Sequence, residues 1–183
     1  MSKQSNGIIF ERYRKQVSDA KDPSMKGSYF DGKIWLATDH LGFCKWSDEL
    51  PSDVFIAPHG MDNNLVYKLM EPHVKEIEKS RLPLPTVSEL KAFIRDNNLH
   101  RQYAVTKPWV RACRYKLNDY NYVNVFYLLD MITLIPDGIL YGQTKWSYFH
   151  FKDKDYRKYM PVMIKNDRGE YAVIMPIKPP DDE

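Results

Sequence analysis

The chain has 183 residues, 43% of them hydrophobic and 28% charged, which suits one domain with a buried core or one domain with an insertion. A net charge of +3 does not by itself force a nucleic-acid reading, and two cysteines exclude a disulfide framework and a four-thiolate zinc site. No apolar run approaches the ~20 residues of a membrane span, and the polar residues Met1 to Asn6 carry no apolar signal core, so the expectation is a cytoplasmic protein without membrane contact.

Apolar residues at Ile9, Tyr13 and Val17 predict an amphipathic helix over 8–20, stopped by Asp22-Pro23. Asp31-Gly32 between two apolar runs predicts a hairpin, because both residues tolerate positive φ. Extended pieces follow at 42–46 and 54–57. Residues 61–82 read as helical, with a kink at Pro72. Thr86-Val87-Ser88-Glu89 is a capping box that opens a further helix, and Asn97-Asn98 ends it. Residues 108–117 and 120–123 read as strands. Asn124 caps a helix from Val125 to about Ile135, closed by Pro136-Asp137-Gly138. The rest is β: 139–141, 146–152, 161–165 and 171–177, with a turn at Asn166-Asp167-Arg168-Gly169. The pattern is an α+β domain with a mainly antiparallel sheet.

Two segments resemble a known family. One is the run Asn124-Val125-Phe126-Tyr127-Leu128-Leu129-Asp130 together with the closing Ile174-Met175-Pro176-Ile177. The other is Ala37-Thr38-Asp39-His40-Leu41 after the Asp31-Gly32 hairpin. In that order they are similar to the bacterial DNA polymerase III β sliding clamp, over less than half of the chain. The family's Gly-His-Arg after Thr-Asp is here His40-Leu41-Gly42, so the arginine is missing.

The resemblance implies a single DNA-clamp-like domain: an antiparallel sheet with two packed helices, built from two α-β-β-β units, plus a helical insertion. Residues 1–57 would form the first half, 58–100 the insertion, 101–178 the second half and 179–183 a flexible tail. It also implies a peptide-binding site at Thr38, His40, Leu41, Met175, Pro176 and Ile177, whose two parts are expected to meet only between protomers. Clamps encircle DNA with basic helices, whereas 125–135 carries Asp130 and no Lys or Arg. The implied protein is therefore a non-enzymatic interaction module without a cofactor. It would act with a protein partner or by self-association, as a modulator of replication or an accessory of a phage or mobile element.

The residues leave two other classes open. Arg101, Lys107, Arg111, Arg114 and Lys116 lie in a stretch without acids and alternate with Tyr103, Trp109 and Tyr115. A second basic stretch, 145–165, interleaves Lys145, Lys152, Lys154, Arg157, Lys158 and Lys165 with six aromatic residues. Cations among stacking rings suit single-stranded nucleic acid, with Arg101, Lys107, Trp109, Arg111, Arg114 and Lys116 as candidate contacts. Core packing and cross-strand pairs explain the same rings without a ligand. Asp39, His40 and His59 could serve a small metal-dependent hydrolase, but no His-x-x-x-His or Cys-x-x-Cys spacing supports a metal site. Cys44, between Phe43 and Trp46, reads as a buried inert thiol.

Overall fold

A computed structural model describes residues 3–18, 29–30, 33–38, 41–46, 80–104, 111–152 and 154–180. Helix α1 spans Lys3–Ser18. Strands β1 (Tyr29–Phe30), β2 (Lys33–Ala37) and β3 (Leu41–Trp46) follow. After β4 (Arg81–Leu82) come α2 (Val87–Asp96) and a short 3-10 turn, Arg101–Ala104. Strands β5 (Arg114–Asn118) and β6 (Asn121–Asn124) lead into α3 (Val125–Leu134). The chain closes with β7 (Ile139–Tyr141), β8 (Ser147–Phe151), β9 (Lys154–Lys158), β10 (Val162–Lys165) and β11 (Tyr171–Ile174).

The α+β class is as expected. Seven strands form an antiparallel sheet in the order β1-β2-β3-β11-β10-β7-β4, while β5-β6 and β8-β9 are separate two-stranded pairs. The order is mirrored about one central pair. A helix followed by β1-β2-β3 faces a helix followed by β7-β10-β11, and the last strands of the two halves, β3 and β11, pair from Leu41↔Ile174 to Cys44↔Tyr171. The β8-β9 hairpin interrupts the second half.

Local signals account for most of these elements. In α2 the Thr86 hydroxyl accepts from the Glu89 amide at 3.1 Å and the Glu89 carboxylate accepts from the Thr86 amide at 2.6 Å, the reciprocal box read from sequence. Asn124 caps α3 through the Phe126 amide at 3.0 Å. The strands flanking Asp31-Gly32 pair antiparallel; those two residues lie outside the described set, as do Asp22-Pro23 and the strand expected at 54–57.

Five expectations need correction. In its described part the strand read over 108–117 begins only at Arg114, and the one read over 171–177 ends at Ile174, before Pro176, which has no amide to donate. Helix α1 starts at Lys3, because its first turn is polar and an apolar period cannot report it. The helix expected over 61–82 lies mostly outside the described residues, but its end, Arg81–Leu82, is strand β4, paired with Tyr141 and Leu140. Pro83 biases Leu82 toward extended backbone. Residues 146–152 hold only β8; its partner β9, Lys-Asp-Tyr-Arg-Lys, shows no apolar alternation and went unread.

Helices α1 and α3 lie side by side on the sheet. The Phe43 ring of β3 meets Phe10 at 6.3 Å and Tyr13 at 6.2 Å, and Tyr13 meets Tyr127 of α3 at 6.2 Å. Between the helices sits the buried carboxylate of Asp130. Its Oδ2 accepts from Arg12 (2.8 Å), the Tyr13 hydroxyl (2.6 Å) and Arg101 (2.7 Å), and its Oδ1 accepts from Arg101 at 2.8 Å. One acid therefore joins α1, α3 and the 3-10 turn. Helix α2 covers the outside of this layer with buried Leu90, and its Phe93 meets Tyr115 of β5 edge-on at 5.0 Å. Among the described residues no helix is long and apolar enough to cross a membrane.

Replacing Asp130 with Ala leaves two arginines without their carboxylate. Their side chains are about a third exposed, so the cost falls below that of a fully buried pair, at about 2–3 kcal/mol in urea denaturation. Tyr13→Phe should cost about 1–2 kcal/mol through the lost hydrogen bond. Burial, and then the Asp130 charge, push the Tyr13 phenol well above its ordinary value of 10.0. The folded state thus holds a proton that the unfolded chain releases, and this contribution is intact below pH about 10 and fades above it. Wild-type stability should fall more steeply than that of Tyr13→Phe between about pH 10 and 11.

Candidate functional site

The expected peptide-binding residues fall at one end of the central strand pair. Between β2 and β3 the Thr38 amide donates to the Leu41 carbonyl at 2.7 Å, and the Thr38 hydroxyl accepts from the Leu41 amide at 3.2 Å. These bonds join the end of β2 to the start of β3; His40 lies outside the described residues. Leu41 is opposite Ile174 in the β3-β11 register, and the next residue is Met175. The two parts of the expected site therefore adjoin within one chain, where sequence reasoning had them meeting only between protomers. The signal that unites them is register across 133 residues of sequence, which no local pattern carries.

At this end Met175 is 40% exposed, while Pro176 and Ile177 are half-buried. The Ile177 amide donates to the Tyr122 carbonyl at 2.8 Å, so the segment leaving β11 is tied to β6. Lys116 lies over the Tyr122 ring at 6.0 Å and pairs with Asp119 at 2.7 Å. The result is an exposed Met175 side chain between strand β11, paired to β3 at Leu41, and Ile177, held by the β6 backbone. The described residues of this end offer apolar contact and hydrogen bonding.

The opposite end of the same strand pair is polar and closed. Glu170 is fully buried, and its Oε1 accepts from Lys45 (3.4 Å) and the Trp46 amide (3.1 Å). Its Oε2 accepts from Asn166 (2.8 Å) and Arg168 (2.6 Å). Asn166 also accepts from the Arg168 and Glu170 amides, both at 3.1 Å, and Gly169 takes a φ of 72°, which favours glycine. A carboxylate with this many donors is a structural brace rather than a base.

The described nucleic-acid candidates differ in their surroundings. Arg101 is bound to Asp130 and lies over the Phe126 ring at 5.0 Å. Lys116 holds Asp119. Arg111 is exposed ahead of β5, Arg114 is half-buried, and Lys107 and Trp109 lie outside the described residues. Cys44 and Cys113 are buried free thiols, and burial pushes Cys113 up to about 11. Among the described residues no group of three or more His, Cys, Asp or Glu could hold a metal ion; Asp39, His40 and His59 lie outside them. An open groove of about 290 Å³ runs between the helices, lined by Ile8, Ile9, Val87, Lys91, Leu129 and Thr133, with the engaged Asp130 beside it.

Comparison with known protein families, with curated proteins and with solved structures finds no match to this chain.

The brace yields an asymmetric prediction. Glu170→Leu removes the acceptor of four donors and leaves Lys45 buried without it, at a cost of about 3–5 kcal/mol. Lys45→Met keeps three of the four donors on Glu170 and should cost distinctly less. Urea denaturation of the two variants measures the order, and equal costs would contradict the brace.

Proposed function

We propose that the chain is a clamp-like protein-interaction module that binds an extended peptide segment of a partner and catalyses no reaction. The observation that supports this reading is the pairing of Leu41 with Ile174, which puts the Thr38–Leu41 bonds and the start of the Met175-Pro176-Ile177 segment at the same end of the β3-β11 pair. In the clamps that the sequence resembles, equivalent segments form the pocket for partner peptides. Two α-and-three-strand halves, mirrored about β3-β11 with their helices side by side, suit the same domain plan.

One edge of the sheet favours a module over a ring. A ring joined edge to edge needs free outer strands. Here β4 lies along β7, and the Gly142 amide extends that pairing to the Ser80 carbonyl at 3.0 Å. Helix α3, which in a DNA-encircling clamp would be basic, has no Lys or Arg and commits Asp130 internally. A role in modulating replication, or as a phage or mobile-element accessory, follows from the resemblance.

Fluorescence polarisation with labelled peptides of the kind that sliding clamps bind tests this reading. Wild type should bind, and Met175→Glu should bind at least about 10-fold more weakly, since burying a methionine side chain is worth about 1.5–3 kcal/mol. No binding by wild type, or equal binding by Met175→Glu, would remove the site.

A further inference from the structure

The β8-β9 hairpin belongs to neither half of the sheet. Among the described residues its strands pair only with each other, from Ser147↔Lys158 to Phe151↔Lys154. An isolated two-stranded hairpin is marginal in water, and this one is fixed at its base. The Gln143 amide of the main chain donates to Asn121 Oδ1 at 3.0 Å. Its side chain donates to Ser147 Oγ (3.3 Å) and the Lys158 carbonyl (3.2 Å), and accepts from the Met160 amide at 3.1 Å. Trp146 packs edge-on between Tyr120 (5.4 Å) and Tyr159 (5.8 Å), with Arg157 over its ring at 4.9 Å.

Beyond this base the arm carries rings into solvent. Tyr148 is 58% exposed, Phe151 54% and Tyr156 42%. By register, Phe151, Lys154 and Tyr156 share one face, while Tyr148, His150, Asp155 and Arg157 share the other. Lys152 lies over the Phe151 ring at 5.2 Å. Between 145 and 158 five cations face two acids, and one of those acids, Asp155, is bound to His150 at 3.0 Å. The arm therefore combines surplus positive charge with exposed aromatic faces spaced about one strand repeat apart, roughly 7 Å. Bare rings without nearby cations would fit a protein partner; rings set among lysines match the alternation of bases and phosphates.

We propose that the β8-β9 arm binds single-stranded nucleic acid, with bases stacking on Phe151 and Tyr156 and phosphates paired with Lys152 and Lys154. The site uses none of the residues proposed at the Met175 end, and its test does not depend on peptide binding there. Duplex should bind more weakly, because its bases are already stacked on one another.

The test is fluorescence anisotropy with labelled oligo(dT) and oligo(U), and with a duplex of equal length, across a salt series. Wild type should bind the single strands at low salt. Phe151→Ala with Tyr156→Ala should weaken binding about 10-fold or more with the salt slope unchanged. Phe151→Tyr with Tyr156→Phe keeps both rings and should bind as wild type does. Lys152→Gln with Lys154→Gln should lower the slope by roughly 1.4, about 0.7 per phosphate contact on a single strand. Circular dichroism of each variant checks folding. The proposal is overturned if wild type does not bind, if duplex binds as tightly as single strands, or if folded ring variants bind unchanged. Hairpin-dependent self-association without oligonucleotide binding would assign the arm to protein contacts instead and also overturn it.

Discussion

The arrangement depends first on one buried charge. An ionised carboxylate inside a protein needs donors, and Asp130 draws them from Arg12 and Tyr13 on α1 and from Arg101 on the 3-10 turn. Meeting that demand places α1 beside α3 and sets both over Phe43 of the central strand. It also fixes what Arg101 can do. A cation that reads on sequence as a phosphate contact is occupied in holding the helices together.

The second constraint is the β3-β11 pair, the seam between the halves. Its two ends are chemically opposite. At the Trp46 end, Glu170 gathers Lys45, Asn166, Arg168 and a main-chain amide into a closed network. At the Leu41 end the chain turns through Thr38 and leaves β11 through a partly exposed methionine. A braced end holds the register, and that register sets Leu41 opposite Ile174. The β8-β9 arm is tethered through Gln143 to Asn121 of β6, the strand that also holds the segment after β11 through Tyr122, while its exposed rings lie on strands outside the main sheet.

Local structure was largely legible in the sequence because it rests on short-range chemistry. The Thr86-to-Glu89 box and the Asn124 cap name their own hydrogen bonds, and both helices start where those residues place them. The β10-β11 turn was equally readable, since Asn166 and Gly169 supply the side-chain bonds and the positive φ that it needs. Strand β9 was hidden because it is exposed on both faces and lacks the alternation that a half-buried strand shows. The Asp130 and Glu170 networks were hidden for another reason. Their partners lie up to 118 and 125 residues away, and a lone acid in an apolar run does not say which cations will reach it. The proposed peptide site was half legible: its residues were named, while the pairing of Leu41 with Ile174 came only with the β3-β11 register.

The central claim is that the two halves form one cooperative unit, locked by Asp130 and by the β3-β11 pair. Native-state hydrogen exchange measures this most directly, because amides that open only in a shared event report the same free energy. The account predicts that the amides of α1, α3, β3 and β11 exchange together at the global value, and that Asp130→Asn lowers them all alike. If α1 opened well below the sheet in the wild type, and Asp130→Asn left the strand amides unchanged, the helix layer would be an independent attachment and the claim would be wrong.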